Sequence, residues 1–273
     1  MRWVEPRVYK IGESRINREE AARFLKDIGA QEWLERQPWY AAGPNDPVNS
    51  AEAITEIAGR ACYKSFGVGL NPNITKIRQD SKEYLANVLM KGDGSIFEHP
   101  VIQFVFHGVS RVFTHELVRH RAGVAISQES LRYVRPTELQ MTMVPGSELS
   151  RMKNLDEFSR ALEANYAMYE KLASDTIRAD MKFDEKKAWT SALRRMLPDG
   201  IATTIVWSAN HRTLRWVLEM RTAPGAEVEM RYVFDKVGEI LLRDYPLIYQ
   251  DFTAKPHADG VGRQWIPQIR SKV

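Results

Sequence analysis

Apolar positions recur every three or four residues along most of the chain, and short runs of β-branched and aromatic residues interrupt this pattern. Helical spacing places apolar side chains on one face, so it predicts amphipathic helices. The predicted helices cover residues 17–29, 51–64, 75–91, 110–121, 154–173, 184–196, 214–220 and 226–242. The β-branched runs predict strands at residues 101–106 and 202–207, with a third short strand at 131–134.

Capping and turn signals support these boundaries. Asn17 can cap the free amides of the first helix with Glu20 three residues later, and Gly29 is a typical C-terminal stop. Residues 37–50 are rich in proline and have no clear period, which predicts a loop. The tail from Asp251 has few pattern signals, so we expect it to be irregular.

Long helices with few strands predict an α+β fold, in which the helices pack on a small antiparallel sheet. The division of the chain follows from the same pattern. We expect an accessory segment at residues 1–50, a core domain at 51–250 and a C-terminal tail at 251–273.

The composition is that of a globular protein, with 44% hydrophobic and 27% charged residues in a chain of 273. The apolar runs are too short to cross a bilayer, so we expect a cytoplasmic protein without a membrane partner. Cys62 is the single cysteine, which excludes an intrachain disulfide, and we expect it to be a buried helical residue. The net charge of +4 suits small anionic ligands or nucleic acid.

The segment 112–121 carries several chemically versatile side chains on one side of a predicted helix. At about 100° per residue, His115, Glu116, Arg119 and His120 fall on one arc. This arc suits an anionic ligand, although a plain amphipathic surface helix would show a similar pattern. The two histidines are five residues apart rather than four, so a zinc site of the metalloprotease type is not expected, and we predict no metal.

Further arginines follow this helix. Arg119 and Arg121 flank His120, and Arg132 lies eleven residues beyond Arg121. A guanidinium group presents a planar fork of donors that matches phosphate or pyrimidine carbonyl oxygens. Neutral donors and acceptors accompany them on the predicted loop: Ser127, Gln128 and Ser130. The segment is therefore a candidate nucleotide site.

The pattern Arg119-His120-Arg121, eight residues, then Ser130-x-Arg132 resembles the RHR-x(7,8)-S-x-R signature of flavin-dependent thymidylate synthases. The order of further segments between about residues 51 and 245 is similar to that family as well. These are Phe97-Glu98-His99, Arg194 with Leu197-Pro198, Asn210-His211-Arg212, and Arg221 followed by Ala226-Glu227-Val228-Glu229.

The resemblance implies a specific reaction, the reductive methylation of dUMP to dTMP. Methylenetetrahydrofolate would supply the carbon, and FAD reduced by NADPH would supply the hydride. The family also implies a homotetramer with active sites shared between subunits. The chain lacks the G-x-G-x-x-G fingerprint, so we do not expect a Rossmann crevice for the FAD.

The resemblance also implies roles for individual residues. Arg221 is the expected catalytic residue, because its cation would favour the N3-deprotonated pyrimidine. The expected FAD-binding residues are His99, Arg119, His120, Arg121, Gln128, Asn210, His211, Arg212 and Trp216. The expected dUMP-binding residues are Glu116, Arg119, Gln128, Glu129, Ser130, Leu131, Arg132, Arg194 and Arg221.

Four positions depart from the family pattern. Glu116 and Glu227 stand where glutamine is frequent, and Gly225 stands where histidine is frequent. Trp216 replaces a polar residue that often contacts the flavin, so we expect stacking there instead. Two alternatives remain open. Glu116 and Gly225 allow a family member that has lost activity, and the basic balance with seven Trp and ten Tyr allows a nucleic-acid-binding module. The second has little support, because the aromatic residues are scattered and no known module signature is present.

Overall fold

The computed structural model describes residues 1–43 and 47–269, and it has an α+β architecture. The strands in the described residues are β1 (Arg2–Val4), β2 (Arg7–Glu13), β3 (Val101–Ser110), β4 (Val124–Gln128), β5 (Gln140–Thr142), β6 (Ala202–Asn210), β7 (Phe252–Pro256) and β8 (Arg263–Pro267).

The α-helices of the same residues are α1 (Arg18–Asp27), α2 (Gln31–Glu35), α3 (Pro38–Ala41), α4 (Ser50–Tyr63), α5 (Ser81–Lys91), α6 (Arg111–Leu117), α7 (Leu155–Thr176), α8 (Phe183–Leu193), α9 (His211–Arg221) and α10 (Val228–Asp244). Short 3-10 turns cover Gly94–Glu98, Leu149–Arg151 and Arg194–Met196.

The central sheet has four strands in the order β2-β3-β6-β4, and every neighbouring pair is antiparallel. Ile102, Phe104 and Phe106 alternate along β3 and are fully buried, because they face the main hydrophobic core. Helices α9 and α10 supply much of the opposite wall of this core. The α+β prediction with a small antiparallel sheet is therefore confirmed.

The N-terminal residues contribute to two parts of the molecule. Helices α1 to α3 and part of α4 enclose a separate hydrophobic cluster around Trp33, Trp39 and Phe66. Strand β2 instead forms an edge of the central sheet, where Tyr9 pairs with Val105. The division into accessory segment, core domain and tail stays a prediction.

Several predicted helices are confirmed, and their caps explain their bounds. The Asn17 side chain accepts a hydrogen bond from the Glu20 amide at 3.1 Å, so α1 begins where the sequence indicates. The helix predicted from residue 75 begins later, at Ser81. The Asp80 side chain caps this helix by accepting from the Glu83 amide at 2.8 Å.

Two predictions of irregular structure are wrong in part. Within residues 37–50, Pro38–Ala41 forms α3, since proline suits the first turn of a helix; residues 44–46 lie outside the described part. The tail forms the hairpin β7–β8, because Trp265 packs in the core where Gly238 leaves room for its ring. Residues 270–273 also lie outside the described part.

Two predictions near the candidate site are wrong as well. Residues 131–134 form a turn rather than a strand, since the Tyr133 and Val134 amides both donate to the Ser130 carbonyl. The strand of this region is β4, so Gln128 lies on a strand rather than a loop. The helix predicted at 110–121 ends at Leu117, so Arg119 and His120 lie in the segment that follows it.

Candidate active site

Hydrogen bonds connect the loop after α6 to the start of α9. The Asn210 side chain caps α9 by accepting from the Thr213 amide at 2.9 Å, and the Asn210 amide donates to the Gly123 carbonyl at 3.1 Å. The Thr213 hydroxyl donates to the Ala122 carbonyl at 2.7 Å. Gly123 has φ +67°, and an added Cβ would lie 2.4 Å from the side-chain nitrogen Nδ2 of Asn210. Only glycine fits this contact without a shift.

A cleft of about 520 Å³ opens beside these hydrogen bonds. Its walls combine apolar surface from Trp216 and Met220 with the cation of Arg212, which forms an ion pair with Glu98. The lining residues are Glu98, Ala122, Gly123, Asn210, Arg212, Thr213, Trp216 and Met220. We call this space the cleft.

Next to the cleft, Arg221 joins two residues from α6 and the loop after it. Its Nε donates to His120 Nε2 at 2.7 Å, its Nη1 donates to a Glu116 carboxylate oxygen at 2.6 Å, and its Nη2 donates to the Glu116 carbonyl at 2.9 Å. We call these three residues the Arg221 cluster. Because a guanidinium carries five N–H groups, two donors of Arg221 remain available to a ligand.

His120 is held neutral in this cluster. Its ring is buried, and the pKa is lowered to about 4, first by burial and then by the Arg221 cation. Since Nε2 accepts a hydrogen bond, we assign the proton to Nδ1. Nδ1 is buried and has no hydrogen-bond partner among the described residues, while Trp216 meets the ring edge-on at a centroid distance of 5.0 Å. A buried donor of this kind can serve a ligand.

A second group of cations lies at the other end of α6. Burial and the nearby Arg194 cation lower the pKa of Arg111, whereas Asp199 and Glu129 act in the opposite direction. Arg111 Nη1 is buried without a hydrogen-bond partner in the described part of the chain. A buried guanidinium nitrogen without a partner, next to a second cation, suits an anionic ligand, so this is a candidate phosphate site.

Sequence reasoning missed Arg111. One signal was available, because Arg111 is the first residue of α6, directly after a strand. The N-terminus of a helix carries a partial positive charge, which disfavours an arginine there unless an anion offsets it. Arg194, by contrast, was among the predicted nucleotide-binding residues.

The structure brings many of the predicted residues together. Asn210, Arg212 and Trp216 line the cleft, and the Arg221 cluster lies against Trp216. Gln128 contacts α6, where its Nε2 donates to the Thr114 hydroxyl at 3.2 Å.

The turn that follows β4 holds the next four predicted residues. Arg132 is exposed, and its amide donates to the Ser130 hydroxyl at 3.3 Å, while the Glu129 amide donates to the Thr204 carbonyl at 2.9 Å. Leu131 is buried in a cluster formed with α7.

Other predicted residues lie elsewhere. His211 faces the core, not the cleft: it is fully buried, and its Nδ1 is 3.0 Å from the Tyr249 hydroxyl. Burial lowers its pKa to about 3, so it is neutral and part of the packing of α9. His99, Arg119 and Arg121 are exposed. Cys62 is exposed too, so its predicted burial is wrong.

The four departures from the family pattern have distinct local roles. Glu116 gives Arg221 a carboxylate partner, and Trp216 packs on His120. Glu227 caps α10 by accepting from the amide of Glu229 at 2.8 Å and from that of the next residue. Gly225 faces open space, with no heavy atom within 4 Å of an added Cβ.

An aromatic and cationic cleft beside a partly buried Arg–His–Glu cluster is typical of a protein that binds anionic, ring-bearing small molecules. The sequence comparison makes the class specific. The family model described as thymidylate synthase complementing protein matches residues 46–247, and the chain belongs to this family. The resemblance drawn from the RHR segment is thereby confirmed.

Individual relatives agree with this assignment. A flavin-dependent thymidylate synthase of a Mycobacterium species (strain JLS) is 34% identical over 218 residues, covering 76% of this chain and 82% of the relative. Another, from Corynebacterium efficiens, is 32% identical over 228 residues, covering 81% and 87%.

Solved structures share the fold. The UMP/dUMP methylase PolB from Streptomyces cacaoi, bound with 5-Br dUMP, aligns with a TM-score of 0.63 at 14% identity, over 92% of this chain and 96% of that chain. Within residues 1–43 and 47–269, no helix is long and apolar enough to cross a membrane. The same residues contain no group of three or more His, Cys, Asp or Glu side chains that could hold a metal ion.

Proposed function

We propose that this chain is a flavin-dependent thymidylate synthase, which methylates dUMP to dTMP with methylenetetrahydrofolate as carbon donor and FAD reduced by NADPH as hydride source. The family supports an enzyme that uses a flavin and transfers a methyl group. The observation that carries the proposal is the cleft with the Arg221 cluster beside it. We also propose a cytoplasmic location, without nucleic-acid or membrane partners.

The residues of the cleft fit a flavin. Trp216 offers an aromatic face, Arg212 offers a cation for a phosphate, and the buried His120 Nδ1–H lacks a partner among the described residues. When bound, FAD supplies the hydride chemistry that the side chains lack. We propose that Asn210, Arg212, Trp216 and His120 hold it, and that the exposed His99, Arg119 and Arg121 bind it from outside the cleft. His211 acts indirectly, through the packing of α9.

Arg221 is placed to orient and polarise a pyrimidine. Two of its N–H donors are not used inside the Arg221 cluster, so they can reach carbonyl oxygens of the base. Glu116 offsets part of the cation, and the neutral His120 fixes the plane of the guanidinium group. We propose that Arg221 stabilises the N3-deprotonated base, with less charge than an unpaired arginine would provide.

The nucleotide phosphate has a separate set of donors. We propose that Arg111 and Arg194 bind it, because the Arg194 cation lies close enough to Arg111 to lower the pKa of Arg111. We propose that the end of β4 and the turn that follows it complete the site. Their residues are Gln128, Glu129, Ser130, Leu131 and Arg132, of which Glu129 and Arg132 are exposed and Leu131 is buried.

We further propose a homotetramer whose active sites use residues from several subunits. Arg119, Arg121 and Arg132 are exposed in a single chain and lie away from the core. Large apolar side chains are exposed near the same turn, where Tyr133 stacks on Phe183 at a centroid distance of 6.4 Å. FAD should then be retained only by the oligomer, and a flavin-loaded monomer in light scattering would contradict this.

The test is a visible absorption spectrum of the purified protein, recorded before and after adding NADPH and then dUMP without oxygen. We expect a yellow protein that loses its flavin absorbance with NADPH and responds to dUMP. Formation of dTMP on adding methylenetetrahydrofolate completes the assay. A protein that stays colourless with added FAD overturns the proposal, and a yellow protein that makes no dTMP indicates an inactive relative.

A further inference from the structure

A second cavity of about 220 Å³ lies between α4, α5 and the segment that connects them. We call it the α4–α5 pocket. The proposed function uses none of its lining residues, which are Gly59, Arg60, Cys62, Tyr63, Ser65, Ile74, Lys76, Ile77, Arg78, Tyr84, Asn87, Val88, Lys91, Asp93, Ser95 and Ile96.

The back wall of the pocket is built around Arg60, which is fully buried. Its Nε donates to Glu56 at 2.8 Å, and its Nη1 and Nη2 donate to the carbonyls of Ser65 at 2.9 Å and Arg78 at 2.8 Å. Because these carbonyls lie near both ends of the connecting segment, Arg60 holds the segment across the pocket. Its own charge is offset by Glu56, so it is structural.

The Tyr84 hydroxyl is part of the same wall. The Arg60 guanidinium covers the Tyr84 ring at 4.1 Å, and the hydroxyl points toward Gly59, where an added Cβ would lie 2.5 Å away. A larger residue at position 59 would therefore displace the phenol. The fit of these groups indicates a cavity with a defined shape.

The lining combines an apolar base with free cations at the rim. Lys76 and Arg78 line the pocket, and neither side chain forms an ion pair with any of the residues 1–43 and 47–269. Lys91 and Asp93 add opposite charges, so the local excess remains positive. The apolar contribution comes from Ile74, Ile77, Val88 and Ile96.

The size limits what can bind. An apolar cavity of about 150 Å³ accepts a benzene-sized ring. The α4–α5 pocket is larger than this, so it can accept a substituted benzene ring or a purine base. An apolar base with two unpaired cations at the rim selects a ring that carries an anionic group.

The pocket and the cleft are both lined by residues of the 3-10 turn Gly94–Glu98. Ser95 lines the pocket, and Glu98 lines the cleft. The turn packs closely against Arg212, which lines the cleft. An added Cβ on Gly94 would lie 2.9 Å from Arg212 Nε. A ligand that extends across this turn can occupy both spaces.

We infer that the α4–α5 pocket binds the aromatic, anionic end of a co-substrate whose reactive end enters the cleft. This inference rests on the proposed function, which supplies two molecules with such an end. They are the folate, through its benzoylglutamate group, and NADPH, through its 2′-phosphoadenosine group.

The first test is steady-state kinetics of a Lys76→Ala/Arg78→Ala variant. Loss of two exposed cations should raise the KM of the co-substrate that binds the pocket about tenfold, with the KM of the other co-substrate, kcat and flavin content unchanged. A rise for NADPH but not for NADH identifies the phosphoadenosine end. A rise for the folate, larger for its triglutamate form, identifies the benzoylglutamate end. A Lys171→Ala/Lys255→Ala variant, which removes the same charge from exposed sites elsewhere, should leave both KM values unchanged.

A second measurement does not need turnover. Cys62 is the only cysteine, is exposed and lines the pocket, so its reaction rate with a thiol reagent reports on occupancy. We expect p-aminobenzoylglutamate or adenosine 2′,5′-bisphosphate to slow labelling of the wild type at least threefold, but not of the double variant. Unchanged KM values together with unprotected Cys62 would overturn the inference. A colourless, inactive protein whose Cys62 is still protected would refute the proposed function alone.

Discussion

Replacing Arg221 by alanine tests the centre of the proposed site. The change removes three hydrogen bonds, one to His120 Nε2 and two to Glu116. It also removes the cation that would face the pyrimidine. We therefore expect a large loss of turnover with the flavin retained, because Arg221 is not among the residues proposed to hold FAD and the cleft residues Asn210, Arg212 and Trp216 are unchanged.

The cost in stability can be estimated from burial. The Glu116 side chain is 44% exposed, so solvent screens its ion pair with Arg221 to at most about 1 kcal/mol. The buried His120 Nε2 loses its only donor, which costs about 1–3 kcal/mol. The total of about 1–4 kcal/mol is small enough for a domain of this size to stay folded. Loss of one preorganised donor should lower kcat about 100-fold or more.

The assay compares dTMP formation, flavin content and urea unfolding in wild type and the Arg221→Ala variant. The pKa of His120 should rise from about 4 toward its ordinary value, since a repelling cation is gone and Glu116 remains; NMR titration of the ring measures this. An Arg36→Ala variant, which breaks a surface Arg–Glu pair in α2, is the control. Unchanged turnover in Arg221→Ala would refute the catalytic role, and an unchanged His120 pKa would refute the coupling.

Three further predictions follow from the fold. Arg111→Ala should raise the KM for dUMP at least tenfold with little effect on the flavin spectrum, and an unaltered KM would remove Arg111 from the phosphate site. Gly123→Ala should lower FAD affinity, measured by fluorescence titration, because the new Cβ would push the Asn210 side chain away. Unchanged FAD affinity would show that the contact between Gly123 and Asn210 does not shape the cleft. The lowered pKa of His211 means that the unfolded state binds one more proton between about pH 6.5 and 3, so stability is lost as pH falls through this range. The free energy of unfolding can be measured with urea at several pH values in this range. Its slope against pH should be steeper for wild type than for His211→Gln by about 1.4 kcal/mol per pH unit. Equal slopes would exclude this linkage.

Local signals in the sequence accounted for much of the fold. The N-cap at Asn17 and the β-branched runs that became β3 and β6 were predicted, because their causes lie within a few residues. The β7–β8 hairpin was missed, since its main cause is the contact of Trp265 with Gly238, which lies far away in the sequence. A local pattern cannot show such a contact.

In the candidate site, too, some residues could be predicted from local sequence signals and others could not. The RHR segment and Asn210 to Arg212 identified the region, and Arg212 lies in the cleft as expected. His211, between two cleft residues, points into the core because successive residues of a helix face about 100° apart. Periodicity could have indicated this, whereas the unpartnered nitrogen of Arg111 is visible only in three dimensions.

Strand β2 has a practical consequence for anyone who shortens this protein. The family match begins at residue 46, but residues 7–13 cover one edge of the ten-residue strand β3. A chain trimmed to the matched region would expose a long row of unpaired amides and carbonyls, and such an edge recruits strands from other molecules. Expression trials should therefore retain the first 13 residues, because we expect the shortened chain to aggregate through this exposed edge.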